Sequence, residues 1–200
     1  MELTIETFRQ EIDTAMLSYD RHIVCVIKTP DDCLEAIERL MLKAIKAYEK
    51  ARAMDPNSAD LAIKIGRTLV TTHDYQKALK YYKLAAEQSI ASAQCNLGVF
   101  HEQGRGTEQS FASALRWYEL AADQGLARAQ YNLAVMLHLG RGGEANLNEA
   151  VTWYRQAAKQ GHAVAQHVLA SLYHHGEGVE ADAGEAAKWC QLAAEQEVPE

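Results

Sequence analysis

Residues 96–125 read NLGVFHEQGRGTEQSFASALRWYELAADQG, and 36 positions on, residues 132–161 read NLAVMLHLGRGGEANLNEAVTWYRQAAKQG. A chain that repeats itself at a short fixed interval folds as similar units, each burying its apolar face against the next. The repeated residues are mostly Ala, Leu, Gly, Trp and Tyr, which pack and turn. The repeat therefore constrains shape far more than chemistry.

Ala78, Ala114, Ala150 and Ala186 mark the period, each 36 residues from the last. Three residues after each marker stands an aromatic: Tyr81, Trp117, Trp153 and Trp189. Tyr82, Tyr118 and Tyr154 come one residue later, with Cys190 out of step in the fourth unit. Apolar residues at these intervals form one stripe of an α-helix. The Ala-Ala pair that follows is small enough for a neighbouring helix to approach closely. A second set of helices lies between: ASAQCNLGVFHEQG, ARAQYNLAVMLHLG and AVAQHVLASLYHHG. Gly125 and Gly161 end helices of the first set, because glycine takes the left-handed cap conformation cheaply. GRG at 104–106, GRGG at 140–143 and GEG at 176–178 end the second.

Upstream the period shortens. Ala44 precedes Ala78 by 34 residues, with a helix break at DPN (55–57) and a tight turn at HDY (73–75). The W-Y-x-x-A-A, A-x-A-Q-x-N-L and G-R-G elements of the 36-residue units resemble Sel1-like repeats (SLR). The 34-residue unit is similar to a tetratricopeptide repeat (TPR). The resemblance covers residues 44–198, with departures at Ser89 (for the capping Gly), Val168 (for the Asn of N-L) and Ala62 (for a favoured Trp). It implies an all-α fold, a right-handed α-solenoid of stacked antiparallel helix pairs. The units divide as a helical cap at 1–43, a TPR-like repeat at 44–77, SLR units at 78–113, 114–149 and 150–185, and a half-repeat cap at 186–200.

At the start, Ile5, Phe8, Ile12, Met16, Tyr19, Ile23 and Val26 recur at helical steps, although IVCVI (23–27) alone also fits a strand. Thr29, Pro30, Asp31 and Asp32 read as a helix start, and a helix follows to about Met54. Residues 1–43 serve either as the cap of the stack or as a homodimerisation element.

The formal net charge of −7 argues against general binding of nucleic acid, which needs a basic surface. No run approaches the ~18 apolar residues of a membrane span. The acidic start lacks the pattern of a signal peptide, so the chain reads as cytoplasmic, without membrane insertion. Cys25, Cys33, Cys95 and Cys190 are irregularly spaced, form no C-x-x-C pair and read as reduced, buried fillers.

Catalytic signatures are absent. HEQGR (101–105) lacks the second His of H-E-x-x-H, and neither G-x-S-x-G nor S-x-x-K occurs. His138 and His174 occupy equivalent repeat positions, but no His pair has the three- or four-residue step of helical zinc ligands. Neither metal, cofactor nor enzymatic activity is expected. Trp117, Trp153 and Trp189 are expected to pack between repeats.

In the families resembled, the A-x-A-Q-x-N-L helices line a concave groove that grips protein partners. The matching positions are Lys64 and Arg67, then Cys95, Asn96 and Val99, then Arg128, Tyr131, Asn132, Val135 and His138, and finally His167, Ser171, His174 and His175. Asn96 and Asn132 have a second, structural reading, as bonds to backbone between helices. The resemblance thus implies a non-catalytic protein–protein interaction module, an adaptor or scaffold holding a partner's peptide or helix in the groove. The alternative is a stoichiometric inhibitor, an immunity protein for a cognate bacterial toxin or effector.

Overall fold

The computed structural model describes residues 30–197, and the helical periodicity expected before Pro30 lies outside them. All regular structure among the described residues is helical: α1 (Pro30–Met54), α2 (Ala59–Thr71), α3 (Tyr75–Ala86), α4 (Ala91–Gln103), α5 (Phe111–Asp123), α6 (Ala127–Leu139), α7 (Leu147–Lys159), α8 (Ala163–His175) and α9 (Ala183–Glu197). The helix expected from about Pro30 to Met54 is α1. The chain divides into two compact units, residues 1–88 and 89–200.

In the first unit α2 packs against both α3 and α1. Leu61, Ala62, Ile65 and Leu69 supply the buried stripe of α2, while Ala78, Leu79, Tyr82, Ala85 and Ala86 supply that of α3. Gly66 lies under the Tyr82 ring. The HDY turn is tight: His73 takes φ 60°, and its ring meets that of Tyr75 edge-on at 5.8 Å.

The second unit is a solenoid of helix pairs, α4 with α5, α6 with α7 and α8 with α9, with α5 also against α6 and α7 against α8. Two rows result, α4–α6–α8 and α5–α7–α9. The Ala-Ala pairs Ala121–Ala122 and Ala157–Ala158 are at most 2% exposed, the close approach that their size permits. Trp153 packs against the cores of two successive repeats, and Trp189 is buried in the last of these cores, as expected of inter-repeat packing. Trp117 is only half-buried, beside Leu120 and Arg116 on an open face of α5. Gly98 is required by its neighbour, because a Cβ there would collide with the Tyr118 ring.

Caps recur with the repeat. Ser110 and Asn146 each accept a backbone N–H three residues on, at 3.2 Å, and Asp182 does so at 3.0 Å. Asp74 fills the same role for α3 at 3.3 Å. Such caps contribute about 1 kcal/mol each. The other row starts differently: Ile90 and Leu126 precede α4 and α6 with no side-chain cap bond. His162, at the equivalent position, accepts the Ala165 N–H at Nδ1, 3.2 Å away.

Three buried glutamines, Gln94, Gln130 and Gln166, are 3–4% exposed, and each accepts a hydrogen bond at its side-chain oxygen. Gln124, Gln160 and Gln196 donate to them in turn, each at 2.7 Å. Gln130 and Gln166 then donate to the carbonyls of Ala122 (3.3 Å) and Ala158 (3.0 Å). A buried amide left unpaired would cost about 1–3 kcal/mol, so this ladder fixes how one helix row sits on the other.

Ser89 stands where later repeats have Gly125 and Gly161, and like them has positive φ, 59° against 84°. Left-handed backbone costs a residue with a Cβ about 1–2 kcal/mol, partly offset by the greater unfolded freedom of glycine. Ser89→Gly should therefore stabilise the protein by roughly 0.5–1 kcal/mol, read as a higher denaturant midpoint at unchanged m. An unchanged or lower midpoint would show that the serine hydroxyl compensates for its backbone.

Burial holds the His162 imidazole below the ordinary His pKa, the larger influence, against a backbone hydrogen bond acting the other way. The native state thus resists a proton that the unfolded chain accepts. The resulting stability is present above the ordinary pKa of about 6.5 and is lost as pH falls through the depressed folded value. Thermal unfolding midpoints should fall between pH 7.5 and pH 5 more steeply in the wild type than in His162→Asn, which keeps a capping acceptor. Parallel pH slopes would exclude His162 as a source.

Candidate functional site

The row α4–α6–α8 carries most of the positions expected to face a groove. Successive helices of the row touch through side chains whose partners are 30 or more residues away in sequence. Arg128 on α6 donates from Nη2 to Asn96 Oδ1 on α4 at 2.6 Å. Asn132 Nδ2 lies 3.9 Å from Cys95 Sγ. Tyr131 stacks on His162, at the start of α8, with centroids 4.6 Å apart and planes 18° apart. It also meets Tyr154 at 5.9 Å, tilted by 53°. Tyr131 is therefore gripped from two sides yet half-exposed.

The structure corrects one groove position. Cys95 is fully buried in the core under α6 and does not project. Burial pushes its thiol pKa up, with Arg128 and Asn132 acting more weakly the other way, so the protonated, unreactive form is favoured. Its repeat equivalents differ in burial: Tyr131 is half-buried and His167 is exposed. Cys190 overturns the expectation of buried fillers, being exposed on α9, the last described helix. Cys25 and Cys33 lie outside the described side chains.

The asparagines also differ from the structural reading. Asn96 and Asn132 bond side chains of the neighbouring row helix, whereas inter-helix backbone bonds fall to the glutamines. That glutamine system was missed in the sequence, although its signal was present as a polar residue recurring every 36 positions among alanines.

The remaining positions fall as follows. Val99 and Val135 are half-buried against successive cores. His138 is half-buried, with Nδ1 3.5 Å from the Tyr154 hydroxyl and the rings edge-on at 6.2 Å. Ser171, His174 and His175 are exposed. His175 Nδ1 donates to the Ser171 carbonyl at 2.9 Å, and its ring meets that of His174 edge-on at 4.9 Å. His138 thus has an aromatic partner, Tyr154, within its own helix pair, and His174 has one, His175, on its own helix. Lys64 and Arg67 belong to the first unit, where Lys64 pairs with Asp60 at 3.4 Å and Arg67 is exposed.

At the position equivalent to His138, α4 carries Glu102. It accepts the Tyr118 O–H at 2.7 Å and pairs with Arg141 of the α6–α7 loop at 3.4 Å. Burial, then this carboxylate, raises the Tyr118 phenol pKa. Burial likewise raises that of Tyr154. Both phenols stay neutral and act as packing and hydrogen-bonding groups. Among the described residues, no three His, Cys, Asp or Glu side chains form a metal-holding group, and no helix is long and apolar enough to cross a membrane. The row can offer a partner an arginine, a tyrosine, amides and imidazoles on a rigid support.

Comparison with known proteins places this arrangement. The Sel1 repeat model matches residues 91–126, 127–162 and 163–198. A second model, Tetratricopeptide repeat protein 21 forth ARM domain, matches residues 61–98. Tetratricopeptide repeat protein 21B of Mus musculus is 43% identical over 53 residues, which are 26% of this chain and 4% of that protein. Among solved structures, a protective antigen of uropathogenic Escherichia coli with an SLR fold has TM-score 0.72 and 33% identity. The alignment covers 76% of this chain and 33% of the antigen. A Sel1 repeat protein from Oxalobacter formigenes shares the fold at TM-score 0.72 and 24% identity, covering 96% of this chain and 84% of its own. The chain spans only about 4% of the length of the curated relatives that it matches, and a third of the antigen. Its three consecutive 36-residue matches and the helix-pair solenoid that carries them place the chain in the Sel1 repeat family.

Proposed function

We propose that the α4–α6–α8 row is the concave groove of a non-catalytic adaptor and holds a peptide or helix of a protein partner. Sel1 and TPR-like repeats are the architecture of a protein–protein interaction module, and scaffolds of this kind are generally non-catalytic. The observation that carries the groove reading is the anchoring of Arg128 and Tyr131. Both are fixed by neighbours across the row, Asn96 and His162, while keeping surface open to solvent. Interface hot spots favour Tyr and Arg, and side chains already held in place lose less freedom on binding. Asn132, His138, His167 and Ser171 extend the contact along the row, and a cytoplasmic partner fits the reading.

Pull-down from native lysate tests this, with tagged wild type beside a variant carrying Arg128→Ala, Tyr131→Ala and His167→Ala. Both proteins must show the same helical circular dichroism. The variant is expected to lose the captured partner, since each hot-spot truncation costs about 2 kcal/mol or more. A partner retained at equal yield by the variant would move the site off this row. One partner held tightly at 1:1 stoichiometry would favour the inhibitor alternative over an adaptor with several weaker partners.

A further inference from the structure

The acidic balance of the chain, −7 overall, is unevenly placed in the second unit. Helices α5, α7 and α9 each carry acidic residues, and so do the loops. By contrast α6 and α8 contain no Asp or Glu at all. The only acid on α4 is Glu102, whose carboxylate is taken up by the Tyr118 hydroxyl and Arg141.

Within this row Arg128 is an exposed cation whose position is set by a neutral amide, Asn96. Among the described residues, no carboxylate forms an ion pair with it. An amide orients the guanidinium without cancelling its charge, and most of its five N–H donors remain for a ligand. Tyr131 follows at i+3, on the same face of α6. An anchored, uncompensated arginine beside an anchored aromatic, in a row cleared of competing acids, is complementary to a segment carrying both carboxylates and apolar groups.

We infer that the row recognises acidic partner segments, with Arg128 pairing a carboxylate and Tyr131 receiving an apolar side chain next to it. The inference rests on the groove reading above and adds the chemistry of the ligand. The net negative charge of the rest of the protein does not forbid it, because charges farther than about 8 Å are largely screened at physiological salt. A nucleic acid is disfavoured: it presents a charge about every 1.7 Å along a duplex, against one arginine in the row.

Selection of short random displayed peptides on the full chain tests the proposal. A synthetic copy of the strongest clone is then titrated against wild type, Arg128→Glu and Tyr131→Ala, each checked for an unchanged unfolding midpoint. The selected peptides should carry net negative charge, and Arg128→Glu should weaken binding by roughly tenfold or more. Neutral or basic peptides whose binding falls with Tyr131→Ala would overturn acidic recognition and leave the groove reading standing. Peptides indifferent to both substitutions, or no enrichment, would overturn both. Displacement of the acidic peptide by an equal concentration of single-stranded oligonucleotide would point to phosphate recognition and overturn the proposal.

Discussion

No helix pair in the second unit can bury its apolar face alone, and everything else follows from how adjacent pairs close over one another. The closure depends on small residues: Ala121, Ala122, Ala157 and Ala158 let neighbouring helices approach until their backbones exclude water. Such an approach also buries backbone carbonyls and polar side chains, which must be paired. Gln130 and Gln166 meet that demand, each bonded both to a backbone carbonyl of the preceding helix pair and to the glutamine at the end of the second helix of its own pair. Apolar burial supplies the non-directional attraction, and the amide ladder supplies the register.

The same logic explains what changes along the stack. Tyr118 and Tyr154 are buried, whereas Cys190, at the equivalent place on α9, is exposed. Ala158 is 2% exposed, and Ala194 at the next period faces solvent. Even within the covered repeats, the hydroxyl partner varies from Glu102 under Tyr118 to His138 beside Tyr154. One backbone position accepts either side chain because each can bond a phenol that remains neutral.

The side chains of the row α4–α6–α8 are held in place for the same reason that they stay chemically open. Its side chains bond across helices and are held there, yet those bonds use few of their donors. Arg128 and Tyr131 draw their order from Asn96 and His162 and keep their outward surface. The phenols of Tyr118 and Tyr154 are held neutral and the buried thiol of Cys95 is held protonated, so these three groups pack and hydrogen-bond.

The repeat alone determined the helix pairs, their turns and the family, because a 36-residue period of Ala, Trp, Tyr and Gly encodes local geometry and nearest-neighbour packing. The resemblance to Sel1-like repeats, and not the period itself, carried the expectation that Arg128 and Tyr131 face a groove. The fates of residues that share one repeat position were not legible. Cys95, Tyr131 and His167 are equivalent in sequence, yet one is buried, one half-buried and one exposed. Only the tertiary structure decides this, since burial depends on the side chains that the next repeat lays over each position. Arg128 and Asn132 lie against Cys95, His162 stacks on Tyr131, and no described repeat follows His167. The glutamine pairing, likewise, joins residues 30 positions apart that become neighbours only when the helices stack.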